Sequence, residues 1–300
     1  MKASIPAGRT LTRFAPAPTG YLHLGHVASA LYVWGLGRAA GARVLLRVDD
    51  HDRQRCQPAY ERALLDDLDW LGFAADVFPT SAFRAGRSDG RQSDRGAIYA
   101  AAARQLAGSG LVYACACTRQ DLARQRPADR APDFYPGTCR HRALPLAPRG
   151  VVWRVAIDDT VETFDDGLLG PQVQRPAIQS GDVAIRDRLG NWTYQFVTAV
   201  DDFRMGIDLV VRGRDLLEST GRQIVIARLL GRATPAAYAH HPLIMKTPAQ
   251  KLSKSDGDTA VGELRAAGWT AAAVIAEAAR LVGLPDGGAD AAGSFARGLS

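Results

Sequence analysis

Short apolar runs and longer helix-like stretches alternate along the first quarter of the chain. Leu11 to Phe14 has the length and content of a strand. A Pro/Gly loop follows from Ala15 to Gly25, then a helix from about His26 to Ala40, with Gly41 suited to its C-cap. Arg43 to Val48 is a short apolar run fit for a buried parallel strand. Pro58 opens a second helix that carries Tyr60, Leu64, Leu68 and Leu71 on one face and stops at Gly72. This strand–helix–strand–helix order predicts an α/β fold with a doubly wound core.

The pattern changes further along. A helix is expected from about Arg91 to Leu106 and a strand from Leu111 to Ala114, followed by an irregular, cysteine-bearing stretch to about Pro148. Val151 to Phe164 and Val183 to Val197 read as β-rich and are expected to form an inserted α+β subdomain. The α/β alternation returns with a strand at Ile207 to Val211, a helix from Thr220 to Leu230 and a strand around Pro242 to Met245. A Lys/Ser loop, two short Ala-rich helices and a Gly/Ala-rich tail complete the chain, and no internal repeat is visible. The expected division is residues 1–110 for the first half of a catalytic domain, 111–195 for the insert and 196–300 for the second half. Gly35, Gly37 and Gly41 imitate a dinucleotide fingerprint, but their spacing is wrong and they follow a helix rather than a strand.

Composition narrows the function classes. With 47% hydrophobic residues over 300 positions the chain can bury a substantial core, and a net charge of +6 favours a polyanionic partner such as nucleic acid. No apolar run is long enough to cross a membrane, and the N-terminus lacks the pattern of a signal peptide, so a cytoplasmic monomer with no membrane partner is expected. Three of the four cysteines, Cys115, Cys117 and Cys139, fall in one segment, which in that compartment reads as a metal site. Cys56, alone near a helix start, has no assigned role.

Three constellations carry chemistry. His23-Leu-Gly25-His26 sets two imidazoles at a loop–helix boundary, where helix N–H groups and dipole favour an anion. Such donors can stabilise charge that develops on a phosphate, and Gly25 lets a flat base lie against backbone. Lys251-Leu-Ser-Lys254-Ser255 sets two lysines on a Ser-bearing loop, a phosphate clamp able to close over a nucleotide. Cys115-x-Cys117 with Cys139 can supply three thiolates to a tetrahedral zinc; the Tyr135 phenolate, His141 and Asp133 are the candidates for the fourth position.

His23-Leu-Gly-His26 and Lys251-Leu-Ser-Lys254-Ser255 resemble the two signatures of class I aminoacyl-tRNA synthetases. Arg13-Phe14-Ala15-Pro16-Ala17-Pro-Thr-Gly, Val200-Asp-Asp and Val211-Arg212-Gly-Arg-Asp215 are similar to the glutamyl members. The resemblance runs from about Arg13 to Gly257 and implies formation of an aminoacyl-adenylate from glutamate and ATP with Mg2+. It implies that Arg13 and Arg212 hold substrate carboxylates and that Phe14, Ala15, Pro16, Ala17 and Tyr194 line the amino-acid pocket. It also implies that Asp49 meets the substrate ammonium and that Lys254, with Lys251, contacts ATP phosphates. The Cys-x-Cys…Tyr-x-x-x-Cys pattern resembles the glutamyl-queuosine tRNA(Asp) synthetases, a short branch of that family, and this resemblance selects Tyr135 as the fourth zinc ligand. Only about forty residues follow Gly257, so no anticodon-reading domain is expected. The branch implies tRNA-independent activation and transfer to queuosine in tRNA(Asp); an adenylate former serving another acceptor and a non-catalytic RNA-binding paralogue are the alternatives. Two positions depart from the family pattern: Arg47-Val-Asp49-Asp50 shortens the expected carboxylate, and Ala17 replaces a serine. Loss of one good hydrogen bond to a charged group costs roughly 1.5–3 kcal/mol, which loosens the amino-acid assignment more than the adenylate chemistry.

Overall fold

The computed structural model describes residues 5–147, 149–243, 245–247, 250–251 and 259–284. The chain opens with β1 (Leu11–Phe14), α1 (Leu24–Ala39), β2 (Arg43–Leu46), α2 (Pro58–Leu71), α3 (Thr80–Arg84) and α4 (Gly96–Gly108). It continues through β3 (Val112–Cys115), α5 (Arg119–Gln125), β4 (Val152–Val155), β5 (Glu162–Asp166), β6 (Gly170–Gln174), α6 (Pro176–Gln179) and β7 (Val183–Arg186). The last part comprises α7 (Tyr194–Arg204), β8 (Leu209–Gly213), α8 (Thr220–Leu229), β9 (Ala237–His241), β10 (Met245–Thr247), β11 (Gln250–Lys251), α9 (Val261–Ala266) and α10 (Ala271–Leu281).

Parallel pairing builds the centre of the molecule. β1 pairs with β2, and β8 pairs with β9, both in parallel. Asp208 stitches β1 to the start of β8: its N–H donates to the Leu11 carbonyl at 3.1 Å, and its carboxylate accepts from the Thr10 and Leu11 N–H groups. β5 joins β9 in parallel and β6 closes the edge antiparallel, giving the order β6-β5-β9-β8. α1 is apolar around nearly its whole circumference, as a helix enclosed on all sides must be, and it packs against β1, β2, β8 and α10. Among the described residues no helix is long and apolar enough to cross a membrane.

The stretch expected as one insert divides between two sheets. β3, β4 and β7 form their own antiparallel sheet, packed through Val155, Val183 and Ile185 against α4 and α7, whereas β5 and β6 belong by pairing to the sheet of β8 and β9. Tyr194 to Val197, expected as strand, is the first turn of α7. Aromatic and β-branched content misleads there, because Phe196, Val197, Ala199 and Val200 recur at helical spacing and bury one face. The strand expected around Pro242 to Met245 lies earlier, at β9, and ends before Pro242, which has no N–H for a ladder. The helix expected from Arg91 begins at Gly96 after a 3-10 turn over Gln92–Arg95, and the irregular cysteine-bearing stretch contains the short helix α5.

Candidate active site

Loop and helix chemistry at the start of α1 fixes the two histidines. His23 is the N-cap: its Nδ1 accepts the Gly25 N–H at 3.1 Å, and the His26 Nδ1 accepts the His23 N–H at 3.2 Å. Because both Nδ1 atoms act as acceptors, each neutral ring carries its proton on Nε2. The rings lie 4.0 Å apart between centroids. A Cβ at residue 25 would sit 2.8 Å from the His23 ring, so glycine is what permits this cap. No acidic residue occupies the first turn of α1, which leaves its positive dipole end uncompensated from within the helix.

A cleft of about 850 Å³ opens beside that helix end. Its lining brings His23, Gly25 and His26 together with Arg13, Phe14, Ala15, Pro16, Ala17, Asp49, Tyr194 and Arg212, so eleven expected residues from four separate chain segments share one wall. The other two are different. Lys254 lies outside the described residues, as does the side chain of Lys251 in β11. The cleft wall continues through His241, Pro242 and Leu243 on the approach to that loop. On its far flank Ala260 pairs with His23, and the Val261 N–H donates to the Leu22 carbonyl at 2.8 Å.

Four arginines line this wall, and the three buried ones, Arg13, Arg47 and Arg212, are each held differently. Arg13 donates from Nε to Asp202 at 3.1 Å and from Nη1 to the Val211 carbonyl at 3.1 Å. Arg47 is fully buried; its Nη1 reaches the same Asp202 oxygen at 2.7 Å, and its Nε and Nη2 clasp Asp49 at 2.6 and 3.1 Å. Burial opposes ionisation of Asp202, but Arg13 and Arg47 together hold its carboxyl down to about 2. For Asp49 burial prevails over the pull of Arg47 and raises its carboxyl above the ordinary range. Asp49, expected to meet a substrate ammonium, is thus chelated by Arg47 while still facing the cleft. Arg212 donates to three neutral acceptors: His240 Nε2 at 3.0 Å, Gln223 Oε1 at 2.7 Å and Thr220 Oγ1 at 2.8 Å.

The cysteines form a second centre. The sulfurs of Cys115, Cys117 and Cys139 all lie within 4.8 Å of one another, and those of Cys117 and Cys139 are 3.6 Å apart. A disulfide needs about 2.05 Å, whereas tetrahedral arms of about 2.3 Å to one zinc place sulfurs about 3.8 Å apart. The donor set therefore fits zinc. Buried Tyr135 accepts the Cys139 N–H on its hydroxyl at 2.8 Å. Asp133 pairs instead with Arg222 at 2.8 Å, and exposed His141 is not in the cluster. Gly181, at φ +67, crosses Tyr135 so closely that a Cβ would fall 1.8 Å from the Tyr135 carbonyl oxygen. Cys56 lies apart from this centre, half-buried, with its thiol pushed up to about 11 chiefly by burial.

Arg47, Asp202, the cleft-lining His51 and the partners of Arg212 were not assigned from sequence. Charged residues inside the apolar runs around Arg47 and Asp202 were the available signal, since a buried charge requires a partner.

Comparison with known proteins agrees with this geometry. Residues 9–292 match the family model of tRNA synthetases class I (E and Q), catalytic domain. A glutamyl-Q tRNA(Asp) synthetase of Nitratidesulfovibrio vulgaris is 39% identical over 91% of this chain and 87% of its own length. One from Rhodobacter capsulatus is 37% identical over 91% of this chain and 100% of its own length. A glutamate–tRNA ligase 2 of Acidithiobacillus ferrooxidans is 40% identical over 90% of this chain, which spans 57% of that protein. The solved glutamate tRNA ligase of Elizabethkingia meningosepticum, in complex with its amino acid, is 28% identical with a TM-score of 0.67, covering 83% of this chain and 52% of the solved one.

Proposed function

The chain belongs to the class I glutamyl and glutaminyl tRNA synthetases, and from that premise we propose that it activates glutamate without tRNA and transfers it to queuosine in tRNA(Asp). It is a ligase, and its relatives support glutamate activation. The observation that carries the reading is the single cleft in which the His23/His26 helix end meets Arg13, Tyr194 and Arg212. Arg212 is held by this chain's own His240, Gln223 and Thr220, which supports a carboxylate site that needs no RNA contribution.

In this scheme a glutamate carboxylate oxygen attacks the α-phosphorus of ATP, its bond to the pyrophosphate oxygen breaks, and glutamyl-adenylate forms. His23 and His26, protonated on Nε2 and seated at the positive end of α1, donate to oxygens on which charge grows. Lys254 supplies further positive charge to the phosphates, and Mg2+ enters with ATP. A hydroxyl oxygen of the queuosine cyclopentenediol then attacks the glutamyl carbonyl, AMP leaves and an ester results. Cys115, Cys117, Cys139 and Tyr135 would hold a structural zinc, which would tie the segment after β3 to the loop at Cys139.

The test is transfer of labelled glutamate to tRNA(Asp) with and without queuosine, followed by RNase mapping, on protein that elemental analysis shows to hold about one zinc per chain. Alkali-labile label in the anticodon loop of the modified tRNA alone is expected. Label on a 3′-terminal nucleoside would refute the assignment.

A further inference from the structure

Arg212 owes its orientation to a residue that never reaches the cleft. Its Nε donates to Nε2 of His240 on the neighbouring strand, so that nitrogen must carry a lone pair and the ring proton must sit on Nδ1. Nδ1 faces Asp166 Oδ2 at 2.5 Å, both side chains being fully buried. The other Asp166 oxygen accepts three backbone N–H groups, from Leu168 and Leu169 at 3.0 Å and from His240 at 3.2 Å. The carboxylate is therefore fixed in rotation, with one oxygen committed to backbone and one to the ring.

We propose that Asp166 is a positioning residue that selects the Nδ1–H tautomer of His240, and thereby keeps Arg212 aimed at a substrate carboxylate. The proposal rests on the reading that Arg212 binds that carboxylate. The groups that face His240 are consistent with a neutral ring: Asp166 from β5, Arg212 from β8, Arg13 from β1, His241 beside it, and the Thr220 hydroxyl of α8 at 3.2 Å from Nε2. Burial lowers His240 below its ordinary value, against the pull of Asp166 and aided by Arg212. Asp166 in turn stays below the ordinary carboxylate range: burial opposes its ionisation, but the His240 and backbone donors prevail.

Asp166→Asn tests this sharply. The three backbone donors keep the new amide oxygen where Oδ1 stood, so the amide N–H faces His240 Nδ1 and forces the proton onto Nε2, against the Arg212 Nε–H. Pyrophosphate exchange should show the glutamate KM raised roughly ten- to hundredfold, as for loss of a hydrogen bond to a charged group. KM for ATP should hold within about twofold, because only the amino-acid contact is disturbed. Imidazole 15N shifts, assigned among the six histidines by comparison with His240→Gln, should move from the Nδ1–H to the Nε2–H pattern. In a His240→Gln background, which has an amide acceptor and no ring to flip, Asp166→Asn should add less than about twofold. A flipped tautomer with unchanged glutamate KM, equal rises in both KM values, or full additivity would overturn the proposal. If Asp166→Asn fails to fold, His240→Gln against His240→Leu decides, since only the first retains an acceptor for Arg212; equal glutamate KM values would reject the role. Absence of glutamate-dependent exchange in the unaltered protein rejects the activity reading instead, so the two failures are distinguishable.

Discussion

Arg13 and Arg212 face the same cleft, yet one is held by charge and the other by neutral dipoles. Arg13 shares the Asp202 carboxylate with Arg47, so part of its charge is offset before any ligand arrives. Arg212 leans on His240, Gln223 and Thr220, none of which carries a negative charge, and Asp166 stands one imidazole further away. Attraction at a few ångströms in a poorly solvated wall far exceeds that in water, so Arg212 keeps the greater pull on an incoming carboxylate. Arg13 with its ion pair to Asp202 is the more rigid support. The difference separates a residue whose loss should unfold the wall from one whose loss should empty it.

The largest effect should come from Asp202→Ala, which leaves the buried Arg13 and Arg47 without their shared counter-charge. Breaking a buried pair from one side costs about 3–5 kcal/mol, and urea unfolding measures it. Gln223→Ala removes one neutral acceptor from Arg212 and should cost about 1.5–3 kcal/mol while raising the glutamate KM. Equal stability losses would erase the distinction between the two arginines.

A smaller effect should appear on acidification. His240 has a folded value below its ordinary 6.5, so the unfolded chain takes up a proton first and stability falls as the pH drops below about 6.5. Asp202 is held at about 2, so its contribution is present above the ordinary 3.8 and is lost only as the pH falls through about 2. Between pH 6.5 and 4 the buried His240 and His241 should weaken the fold while the Asp202 pairs persist, and His240→Gln should remove its own share of the slope of stability against pH in that window. A slope unchanged by His240→Gln would assign the titration to another group.

Much of this cleft was legible before folding, and the reason is local. Gly25, the α1 start and the two histidines lie within four residues, so their cap geometry follows from adjacency. Arg13 and Arg212 were reached through their motifs, and the structure places both on the cleft. The partners that orient them were not legible: Arg47 meets Asp202 across 155 positions and His240 meets Asp166 across 74, distances that no periodicity encodes. Tyr194 was placed in the pocket by the family resemblance, while the β-branched and aromatic content of its segment read as strand where the chain forms the first turn of α7. The three cysteines were grouped by spacing, and the structure brings their sulfurs within 4.8 Å of one another; the glycine that lets the chain cross Tyr135, Gly181, was invisible without its φ of +67.

We propose that the amino-acid site is complete within this chain. ATP–pyrophosphate exchange, measured for each amino acid with no RNA present, tests it most directly. Exchange is expected with glutamate, with none of comparable efficiency for aspartate or glutamine and no requirement for tRNA. Exchange that begins only when tRNA(Glu) is added, or that favours another amino acid, would contradict it.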